Sequence, residues 1–324
     1  MSKLVRIVPG LQALPMILFI AIKVWRRRNP TERPRLQARQ KFTMISIIIP
    51  TLNEERSLPS LLDAVCRQGG EYEVIVVDGG SQDRTLEIAR GHGFRTLPSP
   101  PGRGNGICVA AKEARGDVLF FLHADSSLLP GALNRINEVL LANPKIIGGN
   151  FRLIFDGDTP FSRWLTGFYA WIRSVGLYYG DSGIFVRRSV YEALGGFRSI
   201  PLMEDLDFVR RLERFGRTCC IKDPPLITSS RRFDRRHPLK IVYGWAKLHA
   251  LFWLGVSPDR LAEIYKTHAP LPEIEEAPID PETLRQGRAP RLDQARVTVL
   301  DVADPGTHRP AGHLLGRVVC EQVS

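Results

Sequence analysis

The chain has 324 residues, of which 44% are apolar, enough to build one large domain or two small ones. Its five cysteines are odd in number and lack the paired spacing of zinc or iron–sulfur sites, which excludes those centres and indicates a reducing compartment. The net charge is +11, but residues 1–43 hold ten basic side chains and one acidic side chain. Such a basic segment fits an anionic surface better than a domain that reads nucleic acid, and we expect no nucleic-acid partner.

The first 43 residues contain an apolar run, Leu11–Trp25, followed directly by three arginines. The run is short for a bilayer span, and Pro15 and Lys23 interrupt it. Two interpretations stay open. Residues 1–43 lie on an anionic membrane surface, or they are disordered or come from an upstream start codon. No small-residue cleavage site of an export signal follows the run. We therefore expect a cytoplasmic protein, at the inner face of the cell membrane under the first interpretation.

From Met44 onward, short β-branched runs alternate with segments of helical spacing. The predicted strands are "ISIIIP", "YEVIVVD", "GFRTL" and "VLFFL", and the predicted helices between them are "SLPSLLDAVCR", "RTLEIAR" and "GNGICVAAKEA". Ser57 is the expected N-cap of the first helix, with Pro59 in its first turn. Apolar strands that alternate with helices predict an α/β fold, an open and mostly parallel sheet with helices on both faces.

The second half of the chain is less regular. Strands are predicted at "GGNFRLIF" and "SGIFVRR", and helices at "FSRWLTGFYAWIRSV", "MEDLDFVRRLERFG" and "LKIVYGWAKLHALFWLGV". The second of these helices has Glu204 and Asp205 in its first turn and Gly216 at its end. Residues 269–324 are rich in Pro, Glu and Arg, a composition that predicts a disordered tail.

Polar side chains follow three of the predicted strands. The three groups are Pro50-Thr51-Asn53-Glu54, Asp78-Gly79-Gly80-Ser81-Asp83 and His123-Asp125. Ligands bind beyond the carboxyl ends of strands in such sheets, so we expect these groups to border one site. None of them contains a G-x-G-x-x-G loop, which argues against a dinucleotide-binding dehydrogenase.

Taken in order, these strand ends resemble family 2 of the inverting glycosyltransferases, which have a GT-A fold. The matching stretches are "SIIIPTLNEE", "VIVVDGGSQDRT", "ARGDVLFFLHADSSLLP", "GDSGIFVRRSVYEALGGF" and "MEDLDFVRRLERFG". The "HAD" variant and "SSRRF" resemble a bacterial subgroup that is distantly similar to carotenoid-acid (diaponeurosporenoate) glucosyltransferases. The resemblance implies a glycosyltransferase domain over residues 44–230 and a helical extension of it over 231–268.

The resemblance also implies a pocket for a nucleotide sugar. The residues expected to line it are Pro50, Thr51, Asn53, Glu54, Asp78, Gly79, Ser81, Arg103, Ala124 and Asp125. Asp78 would accept the N3–H of uracil, which favours a UDP-sugar as the donor. The alternative for Asp78 and Asp83 is that they cap a turn and a helix.

A metal site is implied at residues 123–125, where the family usually has D-x-D. The second aspartate of that motif binds Mg²⁺ or Mn²⁺ against the diphosphate, and here it is Asp125, whereas His123 replaces the first. A hard cation accepts a lone carboxylate together with phosphate oxygens and water. His123 either hydrogen-bonds the donor or packs structurally, and both interpretations stay open.

The catalytic base implied by the resemblance is Asp205, with Glu204 positioning the sugar or acceptor. An inverting transfer is a single in-line displacement, so one carboxylate must take the acceptor proton. The alternative is that these acids only stabilise the N-terminus of a helix. Around the diphosphate and the sugar, the expected residues are His123, Gly149, Asp181, Arg231 and Arg232.

The acceptor is the least determined part of the prediction. Aromatic side chains are frequent in residues 164–179 and 240–254, where they either form core or line an apolar groove for a lipid-like acceptor. Two other functions stay open: a catalytically silent nucleotide-sugar-binding protein, since His123 replaces Asp, and an adaptor that binds membrane or nucleic acid through residues 1–43. A nucleotidyltransferase is less favoured, because "PTLNEERS" lacks the glycine-rich loop of that class.

Overall fold

The computed structural model describes residues 44–230 and 238–268. The strands are β1 (Ile45–Thr51), β2 (Tyr72–Asp78), β3 (Arg95–Pro98), β4 (Val118–Phe121), β5 (Ser126–Leu128), β6 (Ile146–Phe155), β7 (Ile184–Arg187) and β8 (Arg217–Thr228). The helices are α1 (Leu58–Cys66), α2 (Thr85–Gly91), α3 (Arg103–Glu113), α4 (Ala132–Ala142), α5 (Pro160–Ser174), α6 (Arg188–Ala193), α7 (Glu204–Phe215), α8 (Pro238–Trp253) and α9 (Pro258–His268), with a 3-10 turn at Gly180–Ser182. The predictions for residues 1–43, for Arg231 and Arg232, and for residues 269–324 lie outside the described residues.

The eight strands form one open sheet in the order β3-β2-β1-β4-β7-β6-β8-β5. The first four strands in this order are parallel, as the strand–helix alternation predicts. Strand β7 is antiparallel to both β4 and β6, and β5 is antiparallel to β8, so the sheet as a whole is mixed. The expected α/β class is confirmed, with helices α8 and α9 in the C-terminal extension.

The core lies on both faces of the sheet. Residues alternate between faces along β1: Ile47 and Ile49 pack in the cluster with α1, whereas Ile48 packs in the cluster with α3. The central strands β1 and β4 are buried almost throughout, since both of their faces are covered. This burial explains why they are read in the sequence as continuous apolar runs rather than as alternating ones.

Strand register brings the polar strand ends to one edge of the sheet. Thr51 lies opposite Asp78, and Asp78 lies opposite Pro98, so the loops after β1, β2 and β3 begin side by side. The chain leaves β4 at the same edge, where Leu122 N–H donates to the Ile48 carbonyl. The parallel half of the sheet therefore gathers the groups that sequence analysis singled out.

Helix boundaries follow the sequence signals closely. Ser57 is the N-cap residue of α1 with Pro59 in the first turn, although its side chain makes no capping hydrogen bond. Helix α7 begins at Glu204 and ends before Gly216, as predicted. No helix in residues 44–230 and 238–268 is long and apolar enough to cross a bilayer.

Candidate active site

A cavity of about 210 Å³ opens where β1, β2 and β3 end. Its lining residues are Pro50, Thr51, Leu52, Glu54, Val77, Gly79, Ser99, Gly102, Arg103 and Gly106. Five of them were predicted for the nucleotide pocket, and they come from the loops after β1 and β2 and from the start of α3. Half of the ten predicted pocket residues therefore converge on one concave site, and the other five do not line it.

The glycines of the α3 start were missed as lining residues, although the spacing "GRGNG" carries a signal for them. Gly102 has φ +111°, which a side chain would strain. A Cβ on Gly106 would lie 3.3 Å from Val77 Cγ1 and 3.4 Å from Ser99 Oγ. Gly102 thus permits the turn into α3, and Gly106 lets α3 approach the ends of β2 and β3 closely.

Asp78 organises the loop behind the cavity. Its carboxylate accepts hydrogen bonds from the N–H groups of Gly80 and Ser81 at 3.0 and 2.8 Å and from the hydroxyls of Ser81 and Thr51 at 2.5 and 3.1 Å. The side chain is buried, with 4% exposure. The structure thus gives Asp78 the turn-capping role that was the alternative interpretation, and its contact with a uracil ring stays a prediction.

The loops after β1 and β2 are tied together by side-chain bonds. Asn53 has φ +53°; its N–H donates to Ser81 Oγ at 2.9 Å and its amide oxygen accepts from Gln82 N–H at 2.9 Å. Asp83 accepts from Thr85 and from Glu55 N–H, and these bonds outweigh burial and lower the pKa of its carboxyl. Asn53 and Ser81 therefore support the pocket wall, and Asp83 precedes α2 as a capping residue.

Arg103 connects this cavity to the start of α7. Its Nε lies 2.5 Å from a carboxylate oxygen of Glu204, whose side chain is 3% exposed, and its Nη2 lies 3.8 Å from Asp205 Oδ2. Although burial opposes its charge, the carboxylates of Glu204, Asp205 and Asp181 raise the pKa of Arg103. The guanidinium is thus a fixed cation between the cavity and the two predicted catalytic acids.

Asp205 is held in place by backbone donors. Gly180 N–H donates to Oδ2 at 2.8 Å, and Leu206 N–H lies 2.7 Å from Oδ1. The residue before α7, Met203, has φ +64°, so the chain turns sharply into the helix and directs its first acids toward the sheet edge. Residue Asp205 is 9% exposed, which leaves part of its carboxylate accessible.

His123 joins the same cluster. Its Nε2 lies 3.3 Å from Arg103 Nη1, and a Cβ on Gly180 would lie 2.8 Å from this nitrogen. Because a guanidinium can only donate, Nε2 accepts and the proton of the neutral ring lies on Nδ1. The histidine of "HAD" therefore lies beside Arg103 at the predicted acids, and its contact with the donor stays a prediction.

A second layer of polar side chains lies behind Asp205. Asp181 is buried and accepts from the Tyr169 hydroxyl at 2.9 Å. Tyr179 Oη lies 2.9 Å from Nε2 of His249, a residue of α8. Sequence analysis proposed Asp181 but missed His249, because no local pattern distinguishes a histidine that faces the site from any other histidine of an apolar helix.

The remaining predicted residues are placed differently. Ala124 is buried beside His123 with 3% exposure. Gly149 is buried within the sheet, where a Cβ would lie 2.0 Å from the Cys219 carbonyl oxygen. The need for glycine there is explained by strand pairing, and the predicted sugar contact of Gly149 receives no support from this packing.

Comparison with known proteins finds a family model that is similar to this part of the chain. The family model described as Glycosyl transferase family 2 matches residues 46–194, which contain β1 through β7 and the predicted pocket. Residues 46–194 of this chain are similar to that family. This similarity agrees with the family expected from the strand ends, whereas the carotenoid-acid subgroup is not shown by the comparisons.

Curated relatives match over part of their length. An undecaprenyl-phosphate 4-deoxy-4-formamido-L-arabinose transferase of Pseudomonas paraeruginosa (strain DSM 24068 / PA7) is 31% identical over 170 residues, which is 47% of this chain and 49% of the relative. An uncharacterized glycosyltransferase of Mycobacterium tuberculosis (strain ATCC 25618 / H37Rv) is 30% identical over 109 residues, 33% of this chain and 49% of the relative. The chain spans about half the length of the curated relatives it matches.

Solved structures of glycosyltransferases also resemble this chain. A mannosyltransferase from Pyrobaculum calidifontis in complex with GDP-Man and Mn²⁺ has a TM-score of 0.48 at 19% identity and covers 79% of this chain and 82% of its own. A glucosyl-3-phosphoglycerate synthase from Mycobacterium tuberculosis in complex with Mg²⁺ and UDP has a TM-score of 0.47 at 20% identity, covering 66% and 80%.

A metal site at the end of β4 would depend on Asp125. No cluster of three or more His, Cys, Asp or Glu side chains suited to a metal lies within the described residues. The half-buried Asp125 carboxylate follows the β4 end and has no hydrogen bond or ion pair within the described part of the chain. One open carboxylate fits a hard cation that takes its other oxygens from a diphosphate and water.

Proposed function

We propose that this chain is an inverting glycosyltransferase that moves a sugar from a nucleotide sugar to a lipid-like acceptor. The observation that carries the proposal is the junction of Arg103, Glu204, Asp205 and His123 beside a cavity at the strand ends. A cation next to two carboxylates supplies both charges that the transfer needs: one for the leaving diphosphate and one for the acceptor proton.

The donor would occupy the cavity with its nucleotide against the loops after β1 and β2. A UDP-sugar is the donor to test first, which follows from the family resemblance. Arg103 lines the cavity and also faces the acids, so it would lie beside the diphosphate. Asp125 would hold a divalent cation, which when bound would neutralise charge on the diphosphate.

The transfer itself is one displacement at the anomeric carbon. The acceptor oxygen bonds to that carbon as its C–O bond to the diphosphate breaks, and the nucleoside diphosphate leaves with the electron pair. Where the acceptor is a hydroxyl or water, Asp205 takes its proton during this step, and an ionised phosphate or carboxylate acceptor attacks without losing a proton. Glu204 is engaged by Arg103 and would hold the guanidinium in place rather than exchange a proton.

The lipid character of the acceptor is supported by two observations. Several curated relatives are named as transferases of undecaprenyl phosphate. On α5, Phe161, Trp164 and Phe168 stack with ring centroids 5.7 and 5.1 Å apart, and Tyr169 and Tyr179 continue this row of rings toward Asp205. We propose that the protein works at the cytoplasmic face of the membrane, with an isoprenoid phosphate or a carotenoid acid as acceptor.

The chemistry of the acceptor head determines how much Asp205 matters. A hydroxyl carries a proton that must be removed, whereas a phosphate or carboxylate oxygen is already ionised at pH 7. We therefore expect Asp205→Asn to lower transfer to a hydroxyl, or hydrolysis by water, by at least about 10²-fold. Transfer to undecaprenyl phosphate should fall much less.

The experiment combines binding with transfer, using the full chain. Calorimetry measures binding of UDP, GDP and ADP, with and without Mn²⁺, to the wild type and to Asp125→Ala. Mass spectrometry follows sugar transfer from the matching nucleotide sugars to undecaprenyl phosphate. We expect tight UDP binding that requires Mn²⁺ and Asp125. Metal-independent UDP binding would overturn the metal-binding role of Asp125. Nucleotide binding without sugar transfer or hydrolysis would favour a silent binding protein. The absence of any nucleotide binding would refute the proposal.

A further inference from the structure

His249 is tied into the site by both of its ring nitrogens. Nδ1 lies 2.7 Å from the Trp245 carbonyl oxygen on the same helix, and Nε2 lies 2.9 Å from Tyr179 Oη. A carbonyl oxygen can only accept, so Nδ1 carries the proton of the neutral ring. Nε2 is then an acceptor, and the Tyr179 hydroxyl donates to it.

Tyr179 begins the turn that holds Asp205. Ser182 N–H and Ser182 Oγ both donate to the Tyr179 carbonyl, at 3.1 and 2.6 Å, and Gly183 N–H donates to the Gly180 carbonyl at 3.1 Å. Within this turn, Gly180 N–H donates to Asp205 Oδ2 at 2.8 Å. A shift of the Tyr179 ring would therefore be passed on to the donor of the Asp205 bond.

Tight packing around Gly180 makes the contacts of this turn sensitive to displacement. A Cβ on Gly180 would lie 2.8 Å from His123 Nε2 and 3.4 Å from Asp205 Oδ2, so the backbone itself is packed between these two side chains. Movement of the turn by a few tenths of an ångström would change both contacts. Because a misplacement of about 1 Å can cost about 10²-fold in rate, we expect a smaller loss from a shift of this size.

We propose that His249 is a positioning residue for Asp205: by accepting the Tyr179 hydroxyl it fixes the 179–182 turn, and through Gly180 N–H it fixes the carboxylate. This inference rests on the proposed function, because it gives helix α8 a role in orienting Asp205, the proposed base. Residue His249 belongs to α8, which the match to the family model does not reach.

The charge state of His249 agrees with this role. Burial lowers the pKa of its imidazole, against the opposing effects of the Trp245 carbonyl and the Asp205 carboxylate. Tyr179 has its pKa raised by burial and by the nearby Asp205 and Asp181, so its hydroxyl keeps its proton. Both partners therefore hold the protonation states that the hydrogen bond requires near neutral pH.

The test compares variants of the full chain. Tyr179→Phe removes the donor, His249→Leu removes the acceptor, and His249→Gln keeps an acceptor oxygen near the position of Nε2. Tyr243→Phe is the matched control, since Tyr243 lies on the same helix with 68% exposure. Hydrolysis of UDP-glucose in the presence of Mn²⁺ measures turnover, because water as the acceptor needs the base. The NMR resonance of the Gly180 amide reports the hydrogen bond from Gly180 N–H to Asp205.

We expect Tyr179→Phe and His249→Leu each to lower kcat about tenfold with KM for UDP-glucose within about twofold. The double variant should be no worse than either single variant, since both remove the same bond. His249→Gln should recover most of the rate, and Tyr243→Phe should match the wild type. The Gly180 amide signal should shift in the two impaired variants and return in His249→Gln.

Other results would overturn the inference. Losses that multiply in the double variant would mean that the two residues act separately, and an unchanged kcat in His249→Leu would mean that the bond does not position the base. If the wild type turns over no nucleotide sugar, the proposed function fails on its own evidence. The Gly180 amide signal then tests by itself whether the Tyr179–His249 bond positions Asp205. An unshifted Gly180 amide signal in His249→Leu would refute that link.

Discussion

At the scale of single residues, the ion pair of Arg103 and Glu204 joins the cavity to the start of α7. Glu204 is 3% exposed, so its charge needs a partner, and Arg103 supplies one at 2.5 Å while its own side chain stays 39% exposed. Removing one member of a buried pair costs more than removing both, because the remaining charge is left desolvated. This asymmetry gives a direct test of whether Arg103 is a structural cation as well as a ligand for diphosphate.

We expect Arg103→Met to lower the free energy of unfolding by about 2 kcal/mol, a value reduced for the partial exposure of the arginine. The double variant Arg103→Met, Glu204→Gln should lose less than the sum of the two single variants, by roughly 1 kcal/mol or more. Urea denaturation of all four proteins measures this coupling. Strictly additive losses would show that the pair does not stabilise the fold.

At the scale of elements, strands β6 and β8 depend on glycine for their close approach. A Cβ on Gly149 would lie 2.0 Å from the Cys219 carbonyl oxygen, a distance that only backbone movement can relieve. On α5, by contrast, an added Cβ at Gly167 meets nothing within 4 Å. The same substitution therefore has opposite consequences in the strand and in the helix.

We expect Gly149→Ala to destabilise the protein by about 2–3 kcal/mol, because overpacking pushes the paired strands apart. Gly167→Ala should stabilise it by about 0.5–1 kcal/mol, since alanine lowers the entropy cost of the helix. Thermal unfolding of both variants beside the wild type is the measurement. A neutral Gly149→Ala would contradict the packing described here and would reopen a direct contact of Gly149 with the donor.

At the scale of the whole molecule, the partly buried His249 links stability to pH. Burial lowers its pKa from the ordinary value of 6.5, so below about pH 6.5 the unfolded chain binds more protons than the folded one. Stability then falls as the pH falls through this range, and it is regained as the pH rises. Asp83, whose pKa is also lowered, acts in the same direction but only below about pH 4.

Between pH 7 and 5.5 we expect the wild type to lose more stability than His249→Gln, by less than about 1 kcal/mol because the imidazole is only partly buried. Urea midpoints measured across this range compare the two proteins. Parallel pH profiles would mean that His249 titrates as it does in the unfolded chain.

The domain organisation is also a property of the whole molecule. We propose that residues 44–268 fold without residues 1–43 and 269–324, since the two core clusters of the described residues form within Ile45–Leu226. Removing either end should leave the melting temperature within a few degrees and leave UDP binding unchanged. Binding of the deleted forms to anionic vesicles separates the two interpretations of residues 1–43, because loss on deleting 1–43 indicates a membrane surface.

What local sequence determines is visible in the first half of the chain. The runs of β1, β2 and β4 are apolar because both faces of the sheet are covered, and the polar groups that follow them mark the ligand edge. Strand β8 was missed, since its residues include "KDPP", and helix α4 was missed among weaker local signals. Burial patterns of a few residues thus predicted the fold class, and the family resemblance at the strand ends predicted five residues of the cavity wall.

Only the tertiary structure decided which of these groups meet. Arg103 and Glu204 are 101 residues apart, and Tyr179 and His249 are 70 apart, so no local period relates them. The structure also showed that the Asp78 carboxylate holds its own loop, a role that depends on where four donors lie. Local propensity reflects the burial of each segment, whereas the geometry of a site depends on how distant segments pack, and only the folded chain specifies that.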